Sequence, residues 1–255
     1  MKTLILYAFH QFNVRVKYFI DHAIFKDDNF DFIIIYNDPG ALHKQLFMQP
    51  RTHKLRTNTI DLAVPDYVTV IHRDNIGYDF GAWSEGLLAG DRYKQYDSFI
   101  FLNSSVMGPY LPDGYAKQWP YRFLDGLKEN VKLFGSTINA LGDPRSAIHV
   151  QSFAFCTNKE GLEHLISKSI FSLTDFAKTF TDAIYKREIR MSREIIAAGW
   201  NIGSLMKHYD VVDFTFTTRS PESYNIRWYM DIMDPNGLDR KEVMFVKGNR
   251  GFAII

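Results

Sequence analysis

Between residues 73 and 83 the chain reads Arg73-Asp74-Asn75-Ile76-Gly77-Tyr78-Asp79-Phe80-Gly81-Ala82-Trp83. Two glycines, an amide and the carboxylates of Asp74 and Asp79 stand where an apolar run gives way to helical spacing. Glycine lets a ligand approach the backbone closely, and a helix start offers unpaired N–H groups to an anion. The carboxylates suit hydrogen bonds from sugar or ribose hydroxyls. The same residues also read as a capped helix start, with Asp79 as N-cap and Trp83 in the core. A second segment, Phe99-Ile100-Phe101-Leu102, is apolar throughout and halts at Asn103-Ser104-Ser105. Further polar exits from apolar runs are Phe9-His10, Asn37-Asp38, and His149 with Gln151-Ser152. Any one of these reads as a turn; together they point to a site.

The elements that must position these residues follow from apolar patterning. Runs at 4–9, 32–36, 67–71, 98–102, 131–134 and 150–155 read as strands, with shorter ones at 211–217 and 243–246. Helical spacing follows at 14–25, 81–89 and between 161 and 199. Strands alternating with helices predict an α/β fold: a three-layer α/β/α sandwich with a mostly parallel central sheet, Rossmann-related. In such sheets ligands sit beyond the carboxyl ends of the strands, where the polar exits lie. No Pro- or Ser/Gly-rich linker interrupts 1–255, so the expectation is one domain. About 1–105 would form a nucleotide-sugar-binding half and about 106–255 an acceptor-binding half.

Composition excludes several classes. Lys plus Arg number 30 against 29 Asp plus Glu, a net charge of +1, so the basic excess of a nucleic-acid binder is missing. The single cysteine, Cys156, precludes an internal disulfide or a thiolate zinc cluster, and its apolar strand makes it buried and inert. His22, His43, His53, His164 and His208 lack metal-ligand spacing. Neither Gly-x-Gly-x-x-Gly, a P-loop nor Gly-x-Ser-x-Gly occurs. Residues 2–9 faintly suggest a secretory leader, but a buried first strand explains them better, and no run reaches the ~18 apolar residues of a membrane span. The expectation is a soluble, cytoplasmic protein, with peripheral membrane contact through exposed aromatics left open. Aromatics reach 15%, with 21 Phe and 14 Tyr. Phe32, Phe99, Phe101, Phe153 and Phe155 read as core; Tyr78, Trp83, Trp119 and Trp200 read as flat faces for sugar or base near the site.

An ordered set of short strings runs through almost the whole chain: 75–82 and 101–109, then Thr137-Ile138-Asn139, His149-Val150-Gln151-Ser152, Glu188-Ile189-Arg190-Met191-Ser192, Gly199-Trp200-Asn201-Ile202 and Phe245-Val246-Lys247-Gly248-Asn249-Arg250. In that order they resemble the GT-A-type glycosyltransferases of polysaccharide biosynthesis, of the rhamnan- and capsule-synthesis-like kind. The resemblance implies transfer of a sugar from a nucleotide-sugar donor, a UDP- or GDP-sugar, to a hydroxyl of a glycan or glycoconjugate acceptor. It implies that Phe9, His10, Asn37 and Asp38 border the nucleoside. Arg73, Asp74, Asn75, Gly77 and Asp79 would contact ribose or donor sugar, and Asn103, Ser104 and Ser105 would line the diphosphate–sugar region.

The sequence departs from the family where the strand ending at Asn103 ordinarily carries Asp-x-Asp. A hard divalent cation prefers anionic oxygens, so Mn²⁺ or Mg²⁺ is left without its usual ligands, though Asp74 or Asp79 remain within its chemistry. Lys247 and Arg250, with Arg73 as a further option, would then balance the departing diphosphate. Glu188 matches the family's general base for an inverting reaction, Glu194 being the alternative. His149, Gln151 and Ser192 fall to acceptor or donor-sugar contact, Ser192 alternatively to capping the helix that follows. Two rival readings are a catalytically silent carbohydrate-binding or scaffolding module, and a nucleotidyltransferase. The latter lacks its basic Gly-rich loop at 10–15.

Overall fold

The computed structural model describes residues 1–38, 54–56, 61–140, 148–215 and 239–248. The first half comprises β1 (Thr3–Phe9), α1 (Val14–His22), β2 (Phe30–Asn37), a small hairpin of β3 (Lys54–Arg56) and β4 (Asp61–Ala63), β5 (Thr69–Arg73), α2 (Tyr78–Leu88), β6 (Ser98–Asn103) and β7 (Val106–Met107). The second comprises α3 (Pro120–Leu124), β8 (Val131–Gly135), β9 (Ile138–Asn139), β10 (His149–Val150), β11 (Ala154–Asn158), α4 (Lys159–Ser167), α5 (Phe180–Asp182), a π-helical stretch (Ala183–Ile189), α6 (Arg190–Ala197), β12 (Asn201–Ser204), α7 (Arg240–Val243) and β13 (Val246–Lys247). Among the described residues, no helix is long and apolar enough to cross a membrane.

Seven strands form one sheet in the order β12-β8-β11-β6-β1-β2-β5. β11 runs antiparallel to both its neighbours and all other pairings are parallel, so the sheet is mostly parallel as expected. The inner strand β1 shows why both faces carry helices. Leu4, Leu6 and Ala8 point into a core with Trp83 and Leu87 of α2, Leu162 of α4 and Ile195 of α6. Ile5, Tyr7 and Phe9 point into another, with Val16 and Phe19 of α1 and Phe123 of α3. A strand buried on both faces reads as a continuous apolar run, and a period-two side-chain alternation divides it between two layers. The result is the three-layer α/β sandwich.

Three expectations need correction. The run 150–155 is two strands, because Val150 pairs with Ile138 of β9 whereas Ala154 begins pairing with β6. Residues 211–215 form turns rather than a strand, and 216–217 lie outside the described residues. The Asn201 side chain replaces a ladder there, donating to the Val212 carbonyl at 2.9 Å and accepting from the Phe214 amide at 2.8 Å, while Val211 stays in solvent. The run 243–246 divides as well. Asp239 caps α7 through the Lys241 amide, and Met244, at φ +65°, turns the chain into β13.

Arg73, at the end of β5, ties three elements together. Its Nε donates to Glu85 of α2 at 2.8 Å, Nη1 to Asn37 Oδ1 of β2 at 2.7 Å, and Nη2 to the Ile76 carbonyl at 2.8 Å. The side chain is buried, and removing it strands the buried Asn37 oxygen and the Ile76 carbonyl. Arg73→Ala is therefore expected to lower unfolding free energy by about 2–4 kcal/mol in denaturant titrations. Arg73→Lys should recover little of it, because an ammonium cannot span the three acceptors as a planar fork does.

Candidate functional site

The site lies at the carboxyl ends of the two central strands. β6 stops because the Asn103 side chain folds back: its Oδ1 accepts from the Ser105 amide at 3.0 Å and from Ser105 Oγ at 2.5 Å. Asn commonly satisfies a turn this way. The Ser104 amide donates to Ala8 of β1 at 3.0 Å, locking the two strand tips together. Asn103 Nδ2 then donates to Asp79 Oδ2 at 2.9 Å.

Asp79 is not the N-cap of α2. That place belongs to Gly77, at φ +77°, which has no side chain to cap with. The chain turns through Gly77 and a left-handed Tyr78, which swings Asp79 onto the tip of β6 instead. Gly81 permits the turn, since a Cβ there would lie 2.1 Å from the Ile76 carbonyl oxygen that accepts from Arg73. Burial pushes the Asp79 carboxyl up to about 6, and the Glu188 carboxylate adds to the rise; the Asn103 hydrogen bond and the Lys247 ammonium pull it back. Asp79, Asn103, Glu188 and Lys247 therefore share one electrostatic neighbourhood.

Glu188 arrives from the π-helical stretch, an irregularity frequent at functional sites. Its Oε1 accepts from the Ser152 amide at 2.8 Å and from Ser152 Oγ at 2.9 Å, which fixes the carboxylate against the loop after β10. Ser192 lies inside α6 rather than capping it, and its Oγ accepts from the Val150 amide at 2.9 Å, fastening α6 to β10. Glu194 is engaged by Arg190 Nε at 2.9 Å. Lys247 comes from β13, which pairs with β7, and its Nζ stands 5.6 Å from the centre of the Phe153 ring.

The remaining sequence candidates lie nearby or in the packing. Asn37 and Asp38 are buried at the end of β2, where the Asp38 amide donates to the Arg73 carbonyl at 2.7 Å. Arg73 braces this corner and its guanidinium is turned inward. Phe9 is buried against Tyr36, with ring centres 4.9 Å apart, whereas His10 beyond it is exposed. Asp74 and Asn75 border the loop into α2, Asn75 exposed and Asp74 partly so. His149 and Gln151 are buried, the latter accepting from Thr137 Oγ1 at 2.8 Å. Arg250 lies outside the described residues. Trp83 and Trp119 do not offer faces to a ligand: both are core, with Nε1 donating to the Leu102 and Ala23 carbonyls. Trp200 packs on His164 beside Lys132, whereas Tyr78 remains at the rim beside Phe180.

Two residues at the site had no sequence signal. Arg15, from the first turn of α1, donates through Nε to the Ser104 carbonyl at 2.8 Å. The Tyr7 hydroxyl, within β1, is buried in the electrostatic reach of Arg15 and Asp79. Only the fold brings them to Asn103, about ninety residues on.

Among the described residues no three His, Cys, Asp or Glu side chains gather as ligands. Of the two carboxylates at the site, Asp79 already accepts from Asn103 and Glu188 from Ser152.

Against known families, the model for rhamnan synthesis protein F matches residues 56–232, more than half of the chain. The chain belongs to the rhamnan synthesis protein F family. That family's description, rhamnan synthesis, agrees with the polysaccharide-biosynthesis resemblance of the ordered motifs. The match spans α2, the β6 tip, Ser152 and Glu188, whereas Tyr7, Arg15 and Lys247 lie outside it. A solved structure, a glycosyltransferase involved in the glycosylation of the major capsid of PBCV-1, is similar over 72% of this chain and 74% of that one, with 15% identity and a TM-score of 0.30. No curated protein matches.

Proposed function

We propose that this member of the rhamnan synthesis protein F family transfers a sugar from a UDP- or GDP-sugar to a hydroxyl of a glycan or glycoconjugate acceptor, on a GT-A-like domain. The observation that carries the reading is the convergence of Asp79, Asn103, Glu188 and Lys247 at the carboxyl ends of the central strands. In this reading the donor diphosphate lies along Asn103, Ser104 and Ser105, and Asp79 accepts a hydrogen bond from a donor-sugar hydroxyl. Glu188, oriented by Ser152, takes the acceptor proton through its other oxygen. The acceptor oxygen forms a bond to the anomeric carbon as the bond from that carbon to the diphosphate breaks. The electron pair leaves with the diphosphate, and Lys247 offsets the charge that develops.

Two measurements test this. Release of UDP or GDP from a panel of nucleotide sugars is the expected result. Glycan binding without nucleotide binding or turnover would instead establish a carbohydrate-binding module. With charge balance assigned to side chains, activity should persist in EDTA. Complete loss restored only by Mn²⁺ would overturn the assignment of charge balance to side chains.

A further inference from the structure

Resting on the donor reading above, we propose that Arg15 is the principal diphosphate-binding cation of this site, its guanidinium fork presented to the phosphate oxygens beside Ser104 and Ser105. Several observations place it there. Asn13 caps α1 by accepting from the Arg15 and Val16 amides at 2.9 and 3.3 Å, which sets Arg15 in the helix's first turn next to the tip of β6. Its Nε is anchored on the Ser104 carbonyl. Among the described residues no carboxylate pairs with it, and its two terminal nitrogens have no protein acceptor. The side-chain stem lies against Gly248, where an added Cβ would come within 2.8 Å of Arg15 Cδ. The Gly248 amide in turn donates to the Ser105 carbonyl at 2.9 Å. Arg15 and Lys247 thus reach the same three-residue turn from α1 and from β13.

A half-buried guanidinium with one nitrogen fixed and two without an acceptor among the described residues is preorganised for a phosphate, because little side-chain freedom is left to lose on binding. Tyr7 supplies an independent sign of a ligand. Its ring stacks on Phe19 of α1 with centres 4.0 Å apart, and its buried hydroxyl has no hydrogen-bond partner among the described residues. A buried hydroxyl left unsatisfied costs free energy, so a polar group arriving between Arg15 and Asp79 relieves it. Lys247 also lies in the field of Asp79, whereas Arg15 has no anionic partner among the described residues, and this distinguishes the two cations.

Calorimetric titration of wild type, Arg15→Ala, Arg15→Lys and Arg15→Gln with UDP, GDP, inorganic pyrophosphate, uridine and guanosine tests the assignment. Wild type should bind one nucleoside diphosphate. Arg15→Ala should weaken that binding about 10–100-fold and leave binding of the matching nucleoside unchanged. Arg15→Lys should fall between, since it keeps the charge without the fork. Equal affinity of wild type and Arg15→Ala for the diphosphate overturns the role of Arg15 and leaves the donor reading standing. Failure of wild type to bind any of the probes overturns both. Should Arg15→Ala not fold, Arg15→Gln, which retains a donor for the Ser104 carbonyl, decides the matter by the same comparison.

Discussion

Glu188→Gln is expected to lower kcat by about 10²–10⁴-fold, the range for removing a positioned general base. The amide is nearly isosteric and its oxygen still accepts from the Ser152 amide and hydroxyl. Stability should therefore hold while turnover collapses, and the Kd for the nucleotide should stay near wild type. Ser152→Ala should have a smaller effect, about tenfold or less, because the Ser152 amide still orients the carboxylate. A Glu188→Gln enzyme with wild-type kcat would overturn the assignment. If Glu194→Gln alone abolished turnover, the base would move to the residue now paired with Arg190.

Asp79→Asn should reduce kcat/KM by about 10–100-fold, the value of a charge-assisted hydrogen bond, and at the same time raise stability above pH 6. The sign follows from protonation. With the native carboxyl near 6 and an ordinary value of 3.8, the folded protein holds a proton between those pH values that the unfolded chain has released. Stability from this group is therefore full below about pH 4, declines as pH rises through 6, and stays reduced above it. A shift of this size corresponds to roughly 2–3 kcal/mol, so Asp79→Asn should exceed wild type by that order at pH 8 and not at pH 4. Urea denaturation at the two pH values measures it. Activity runs the other way. Wild-type kcat/KM should rise through pH 6 and level off above, because the proposed role needs an ionised Asp79. A wild-type profile flat from pH 5 to 8 would remove Asp79 from the site. The opposed trends are those of a group kept for function at some loss of stability.

Much of the fold was legible because strands buried on both faces announce themselves. Residues 4–9, 32–36 and 98–102 are apolar runs ended by polar side chains, and each proved to be a strand with its tip at or beside the site. The strand expected at 211–217 misled because a short apolar run carries no record of its neighbours. There the Asn201 side chain holds a turn where a ladder would have lain. Of the two readings of Asp79, the capping one was the local one. An Asp just before a helical pattern is the ordinary sign of an N-cap, and only the left-handed Gly77-Tyr78 pair sends it elsewhere.

The polar exits at Asn103 and Asp79, and the ordered motifs that carry the family resemblance, Glu188 among them, were all open to reading in the linear chain. Residue type and order along the chain are linear properties, and the match at 56–232 rests on them. What the tertiary structure decided was which of these residues share a space and which are occupied elsewhere. Arg73 was withdrawn into a brace between strands and Trp83 and Trp119 into the core, while Arg15 and Tyr7 were added at the tip of β6. The physical reason is that a charge or an aromatic ring takes its role from what lies within a few ångströms of it. For Arg15 and Ser104 that proximity is made by the pairing of β1 with β6, across eighty-nine residues.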